Sequence, residues 1–148
     1  MKGSRGKIKH SFRASQQIDY SQIRYNNATP SDLDGMLELK NHLFVFMEFK
    51  MVNAEPLAGG QRMAIANFTD AILDAGKCPI AVIGEHNTPI DRDINAAESK
   101  AVEIRWGYKW HDVRHRNLSV LDCVNGAYIF AFNEEPPSNI INLTNKNL

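Results

Sequence analysis

Leu33-Asp34-Gly35-Met36-Leu37-Glu38-Leu39, then Lys40-Asn41-His42, then Leu43-Phe44-Val45-Phe46-Met47-Glu48-Phe49-Lys50, is the stretch on which the fold turns. In the first run Leu33, Leu37 and Leu39 alternate with Asp34, Met36 and Glu38, the period of two that sends successive side chains to opposite faces of a strand. The last run is dense in aromatic and branched residues and reads as a second strand. The polar triplet between them predicts a three-residue hairpin loop, with Asn41 or His42 in the left-handed conformation that such a loop needs. With Asn41 at the centre, residues equidistant from it face each other, and Asp34 falls opposite Glu48. Directly opposed Cβ atoms lie roughly 5 Å apart, a separation at which two carboxylates can share one divalent ion. One face then carries Asp34, Met36, Glu38, Phe44, Phe46, Glu48 and Lys50. The other carries Leu33, Leu37, Leu39, Leu43, Val45, Met47 and Phe49, all apolar.

Working outward, Ile65, Phe68 and Ile72 recur at helical spacing between Leu57 and Ala75, and Gly76 stands where a helix C-terminal cap belongs. Pro79 to Gly84 reads as a short buried strand, Glu85 to Glu98 as a polar surface loop, Ala101 to Trp106 as a further strand and Leu118 to Phe132 as a closing helix. Hairpin, helix, strand, strand, helix describes an α/β chain of the α+β kind, a mixed sheet flanked by helices. At 148 residues the chain fits one domain with a core of its own. The expected organisation is a basic arm over residues 1–18, a domain over 19–132 and a polar tail over 133–148. No internal repeat or Gly/Ser linker divides it.

Composition excludes several classes. Apolar and charged fractions of 43% and 23% are those of an ordinary packed protein. The longest apolar run, Leu43 to Phe49, is too short to span a bilayer, and the N-terminus lacks an apolar signal stretch, so neither membrane nor export is expected. Cys78 and Cys123 lack CxxC or zinc-ligand spacing and read as reduced core thiols of a cytoplasmic protein. Seventeen basic and seventeen acidic residues cancel, so the charge argument rests on distribution. Residues 1–18 hold Lys2, Arg5, Lys7, Lys9 and Arg13 and no acid. That is either a solvated tail or an arm for phosphates, with Lys7, Lys9 and Arg13 as its contacts. Arg105, Lys109, Arg114 and Arg116 are interleaved with Trp106, Tyr108, Trp110, His111 and His115, which suits either nucleic-acid contact or a strand end with core tryptophans.

The chemistry-bearing pattern is an Asp followed by Glu-x-Lys. The tripeptide alone is weak, and it occurs three times. Glu38-Leu39-Lys40 runs into the turn, and its upstream aspartates share its own strand. Glu98-Ser99-Lys100 ends a polar loop, where nothing would hold the carboxylate in a dry place. Glu48-Phe49-Lys50 ends the most hydrophobic strand and faces Asp34 across the hairpin. Two carboxylates so placed repel unless a cation neutralises them or one takes up a proton. A bound Mg2+ would resolve this, polarising a phosphoryl oxygen and acidifying a water that Lys50 could orient. A surface hairpin with one salt bridge from Lys50 to either acid is the plainer alternative. Gln61 precedes Ile65 by one helical turn and would face the sheet near Glu48, either in the site or bonding to backbone.

Thr29-Pro30-Ser31-Asp32-Leu33-Asp34-Gly35, Phe46-Met47-Glu48-Phe49-Lys50 and Gly60-Gln61-Arg62 together resemble the PD-(D/E)XK nuclease superfamily, particularly its small phage-type members, over roughly Tyr25 to Glu85. The resemblance implies a restriction-endonuclease-like αβββαβ core and a DNA endonuclease. It implies Mg2+ or Mn2+ as cofactor at Asp34, Glu48 and Phe49, with Asp34, Glu48, Lys50 and Gln61 as catalytic residues. Family members commonly add a Glu from an N-terminal helix. This chain has no Glu before Glu38, so Asp19 or a water would stand in. The rival reading is a non-catalytic module of the same fold that binds nucleic acid or protein. The sequence leaves open whether one copy acts or a homodimer. His111 and His115, with His86, would suit zinc only if their segment were helical.

Overall fold

The structure is a computed structural model and describes residues 16–137. It divides the chain into two units, Met1–Asp32 and Leu33–Leu148. Within the first, Ile23 N–H donates to Tyr20 O at 2.8 Å, and Tyr25 and Ala28 form an isolated bridge around the left-handed Asn26. Asp19 accepts Ser21 N–H at 2.9 Å, and that backbone hydrogen bond lowers its pKa. Lys7, Lys9 and Arg13 lie outside the described residues, as do residues 138–148 of the polar tail.

In the second unit, β1 (Gly35–Leu39) pairs antiparallel with β2 (Leu43–Met51), in the expected register from Leu39↔Leu43 to Gly35↔Met47. The reversal is made by Lys40 and Asn41 together, at φ 55° and 51°, and not by His42. Two successive left-handed residues match the twist of the flanking strands. Lys77 Nζ holds the turn from outside, donating to Asn41 O at 2.5 Å.

After β2 the chain crosses over through α1 (Gly59–Asp74) and returns as β3 (Cys78–His86), parallel to β2. Gly76, at φ 79°, ends α1: its N–H donates to Leu73 O at 2.9 Å and Lys77 N–H to Ile72 O at 3.3 Å, closing the carbonyls that a helix end leaves open. β4 (Lys100–Trp106) and β5 (Lys109–Asp112) follow antiparallel, completing a five-stranded sheet in chain order. A 3-10 turn (Arg114–Arg116) leads to α2 (Val120–Phe132). The start of α2 is fixed by Ser119 and Asp122, each side chain bonding the other's backbone N–H.

Strand alternation gives the sheet two apolar faces. Leu43, Val45, Ile80 and Val82 pack with Val120, Cys123 and Ala127 of α2. Ala81, Ile83 and Val102 pack with Leu57 and with Ile65 of α1, and Phe46 joins them. Burial raises the pKa of both thiols, Cys123 to about 11, so they are core groups. Gly84 marks the closest approach on the α2 side: a Cβ there would lie 2.8 Å from Val120 Cγ2 and 3.0 Å from Phe49 Cδ1.

The mixed α/β architecture agrees with the sequence reading, and four details differ. Among the described residues the order is ββαβββα, with the hairpin first as expected, and not the αβββαβ order that the resemblance implies. β5 was not expected. It arises because Gly107 and Tyr108, at φ 57° and 66°, form a tight two-residue turn. His111 therefore sits in a strand and His115 in the 3-10 turn, not one helical turn apart. The buried stripe of α1 is Ile65 and Thr69, while Phe68 is 62% exposed, because the helix is turned so that Arg62 and Asp70 reach charged partners on β4. Leu33 packs on the α1 side with Phe46, not on the face of Leu37, since the chain leaves strand geometry at Asp34. Among the described residues no helix is long and apolar enough to cross a membrane.

Candidate active site

The hairpin ladder stops one step short of Asp34 and Glu48. Asp34 turns its carboxylate into the next ladder position, and its Oδ2 accepts Phe49 N–H at 2.8 Å in place of a backbone carbonyl. An exposed carboxylate is thereby fixed to the amide between Glu48 and Lys50. Phe49, on the opposite side of the strand, packs against the α2-side core. Its ring is anchored on one face of the sheet, and its amide holds Asp34.

Glu48 belongs to the α1 side, two residues beyond Phe46. It is 6% exposed although it is an acid. Lys50 Nζ lies 3.4 Å from its Oε1, with the Lys50 side chain 32% exposed. Oε2 of Glu48 is buried and has no hydrogen-bond partner, and among the described residues no other buried side-chain nitrogen or oxygen is in that condition. Gln61 is half-buried in the first turn of α1, one turn before the buried Ile65. Of the sequence-predicted residues, Asp34 is thus tied to Phe49, and Glu48 to Lys50. Among the described residues, no three His, Cys, Asp or Glu side chains gather as a metal-ligand cluster.

No family model, curated protein or solved structure matches this chain.

The basic cluster is largely committed to partners. Arg105 is 12% exposed and binds Asp70 of α1 at 2.8 Å. Arg114 binds Glu85 at 2.7 Å, and that hydrogen bond raises the arginine's pKa. Lys109 is exposed at the start of β5. The tryptophans are packed: Trp106 meets Phe130 edge to face with ring centroids 5.1 Å apart, and Trp110 lies 4.3 Å below the Arg62 guanidinium. Arg62 in turn makes two bonds to Glu103, at 2.6 and 2.9 Å, which raise its pKa. His111 Nε2 lies 3.0 Å from Trp106 O.

Sequence reasoning missed Glu85. In the parallel register of β2 and β3, Lys50 is paired with Glu85 and Met51 with His86. A strand, helix, strand order with parallel return was the signal available, because it puts the end of β3 beside the end of β2. Glu85 also lines a cavity of about 400 Å³ formed with residues of the 87–99 loop.

Proposed function

We propose that the chain is a Mg2+- or Mn2+-dependent deoxyribonuclease of the PD-(D/E)XK type, acting through Asp34, Glu48 and Lys50. The observation that carries this reading is the dry, unpartnered Oε2 of Glu48 beside a lysine and a backbone-anchored aspartate. A bridge serving only structure would satisfy both carboxylate oxygens, because leaving one buried acceptor bare costs about 1–3 kcal/mol. Carboxylate oxygens are the donors that hard divalent cations take. Asp34 and Glu48 would hold the ion, and Phe49 keeps the Asp34 carboxylate in place through its amide. When bound, such an ion polarises a phosphoryl oxygen and acidifies a coordinated water.

Lys50 orients the attacking water and offsets negative charge as it gathers on the phosphate. Gln61, above the same sheet face, is the accessory donor or acceptor for that water or phosphate. Phosphate contacts away from the reaction come from Lys109 and from Lys7, Lys9 and Arg13 of the arm. Arg105 and Arg114 join them only by leaving Asp70 and Glu85.

The test is incubation of the full chain with plasmid, linear duplex, single-stranded and four-way-junction DNA in Mg2+, Mn2+ or EDTA. Cleavage with either metal, abolished by EDTA, is expected. The second reading, a non-catalytic module that binds nucleic acid or protein, draws on the lack of a cluster of three ligating side chains among the described residues. Binding of DNA without cleavage in any metal would make it the better account.

A further inference from the structure

Across the ends of three strands runs a row of side chains of alternating charge. In the register of β2, β3 and β4, Lys50 stands beside Glu85, and Glu85 beside Lys100. Two residues earlier Glu48 is paired with Ile83, and Ile83 packs on the α1 side. Strand alternation therefore sends Glu48, Lys50 and Glu85 to that same side. Lys50 is flanked by two carboxylates, one two residues back on its own strand and one abreast of it on a strand about 4.8 Å away.

The two carboxylates differ in what they hold. Glu48 Oε1 lies 3.4 Å from Lys50 Nζ, and its Oε2 is bare. Glu85 is occupied from another direction: Arg114 Nη1 donates to its Oε1 at 2.7 Å. Arg114 reaches it from the 3-10 turn, which is pinned where the Arg114 N–H donates to Asp112 Oδ1 at 3.0 Å. The Glu85 hydrogen bond, with negative charge from Asp112 and Glu103 added, raises the arginine's pKa. The Arg114 side chain is 54% exposed and that of Glu85 18%, so a solvated guanidinium answers a mostly buried acid.

The pairing matters once Glu48 has another partner. In the nuclease reading Glu48 serves the ion, and Lys50 loses the acid beside it. A lysine ammonium is a point charge on a flexible four-carbon stem, free to turn to the next anion in reach. Abreast of Lys50 on the same face that anion is Glu85. Lys100 is also in register with Glu85, but it is exposed, and an ion pair in solvent is weaker than one made by Lys50, whose side chain is 32% exposed. A free Glu85 would draw Lys50 sideways, away from the water and the phosphate.

We infer that Arg114 is a positioning residue: by holding Glu85 it keeps that carboxylate from capturing Lys50 and leaves the Lys50 ammonium to the reaction. The inference rests on the nuclease reading and deepens it. Arg114 then serves the site by staying on Glu85, since a guanidinium that left for a DNA phosphate would uncover the carboxylate.

The experiment has a kinetic and a structural part. Full-length wild type, Arg114→Met, Glu85→Gln and the double variant are compared in Mn2+ on the DNA that wild type cuts, after melting temperatures establish that each folds. Arg114→Gln replaces the methionine variant if that one does not fold. Arg114→Met should lower kcat roughly tenfold with KM within a few-fold, and adding Glu85→Gln should return kcat to that of Glu85→Gln alone. Neutralising Glu85 would not rescue a residue that only supports the fold, nor one that binds phosphate. A loss that persists in the double variant, or that falls on KM and not on kcat, overturns the inference and leaves the nuclease reading intact. The structural part needs no activity, because Glu48→Gln imitates without metal an acid whose charge has been answered. In metal-free crystals of Glu48→Gln, Lys50 Nζ should stay clear of Glu85. In crystals that add Arg114→Met, it should lie within about 4 Å of a Glu85 oxygen. Glu85 paired there with Lys100, or Lys50 on Glu85 while Arg114 is present, overturns the inference. If wild type cuts no DNA in any metal, the nuclease reading fails, and the crystals still decide whether Arg114 keeps Glu85 from Lys50.

Discussion

Two charged regions lie on the same side of the sheet and are built on opposite principles. Along the seam between α1 and the β4–β5 hairpin polar groups meet partners: Arg62 meets Glu103 and the Trp110 ring, Arg105 meets Asp70, and the Tyr108 hydroxyl donates to Asp74 at 2.5 Å. At the end of β2 the more deeply buried charge, Glu48, has one oxygen shared with Lys50 and one with nothing. A seam of satisfied pairs fixes how the helix lies on the sheet. An acceptor left bare in a dry place adds nothing to stability, and among the described residues no other buried side-chain nitrogen or oxygen is left so.

The largest expected consequence concerns rate. Glu48→Ala and Lys50→Ala should each lower DNA cleavage by about a hundredfold or more, with affinity for DNA within a few-fold, since neither residue supplies most phosphate contacts. Arg62→Ala, measured per folded molecule, should cleave near the wild-type rate, and a loss as large as that of Lys50→Ala would erase the contrast. Next comes metal. At a hundred times its dissociation constant, Mg2+ or Mn2+ should stabilise wild type by about 2.7 kcal/mol. Glu48→Met should show no such shift in a thermal melt, and an equal shift would place the ion elsewhere. In metal-free urea titrations the two regions should respond with opposite signs. Arg62→Ala leaves Glu103 half-buried and unpaired and should cost about 2 kcal/mol, whereas Glu48→Met removes an unsatisfied charge and should stabilise by about 1 kcal/mol. Destabilisation by both would mean that Glu48 is structural.

The smallest effect is alkaline. The hydrogen bond to Asp74 raises the Tyr108 pKa above its ordinary 10.0. The folded state therefore keeps a proton that the unfolded chain releases, so the contribution is complete below pH 10.0 and is lost as pH rises through the folded value. Tyr108→Phe should flatten the fall of melting temperature above that pH. An unchanged profile would show that the hydroxyl is not held in solution.

Much of the sheet end was legible because hairpin register follows from counting outward from the turn, and the turn was marked by Lys40-Asn41-His42. That count gives the register from Leu39↔Leu43 to Gly35↔Met47, but not the departure from strand geometry that lets Asp34 grip Phe49 N–H. A side chain that imitates a backbone carbonyl leaves no periodicity to read. β5 was missed for a different reason. Its four residues are too few for a pattern, and the signal was Gly107, whose neighbour Tyr108 also accepts a positive φ that its residue type does not advertise. The outward turn of Phe68 could not be read from spacing, because Arg62 and Asp70 make equally regular intervals on α1 and their partners lie on β4, distant in sequence. The sequence reading began the closing helix at Leu118, and the capping pair Ser119 and Asp122 starts α2 at Val120.

Gly84 gives the hairpin end a second guardian. Its bare α-carbon lets Phe49 and Val120 close together behind the sheet, and the Phe49 amide is what grips Asp34 in front. A methyl group at Gly84 would touch neither carboxylate nor lysine. It would nonetheless push on the ring whose backbone steadies the aspartate, and a change made among greasy side chains would surface as a fault in the chemistry. A screen for inactive variants should therefore return hits from the far side of the strand, in residues that no ligand ever meets.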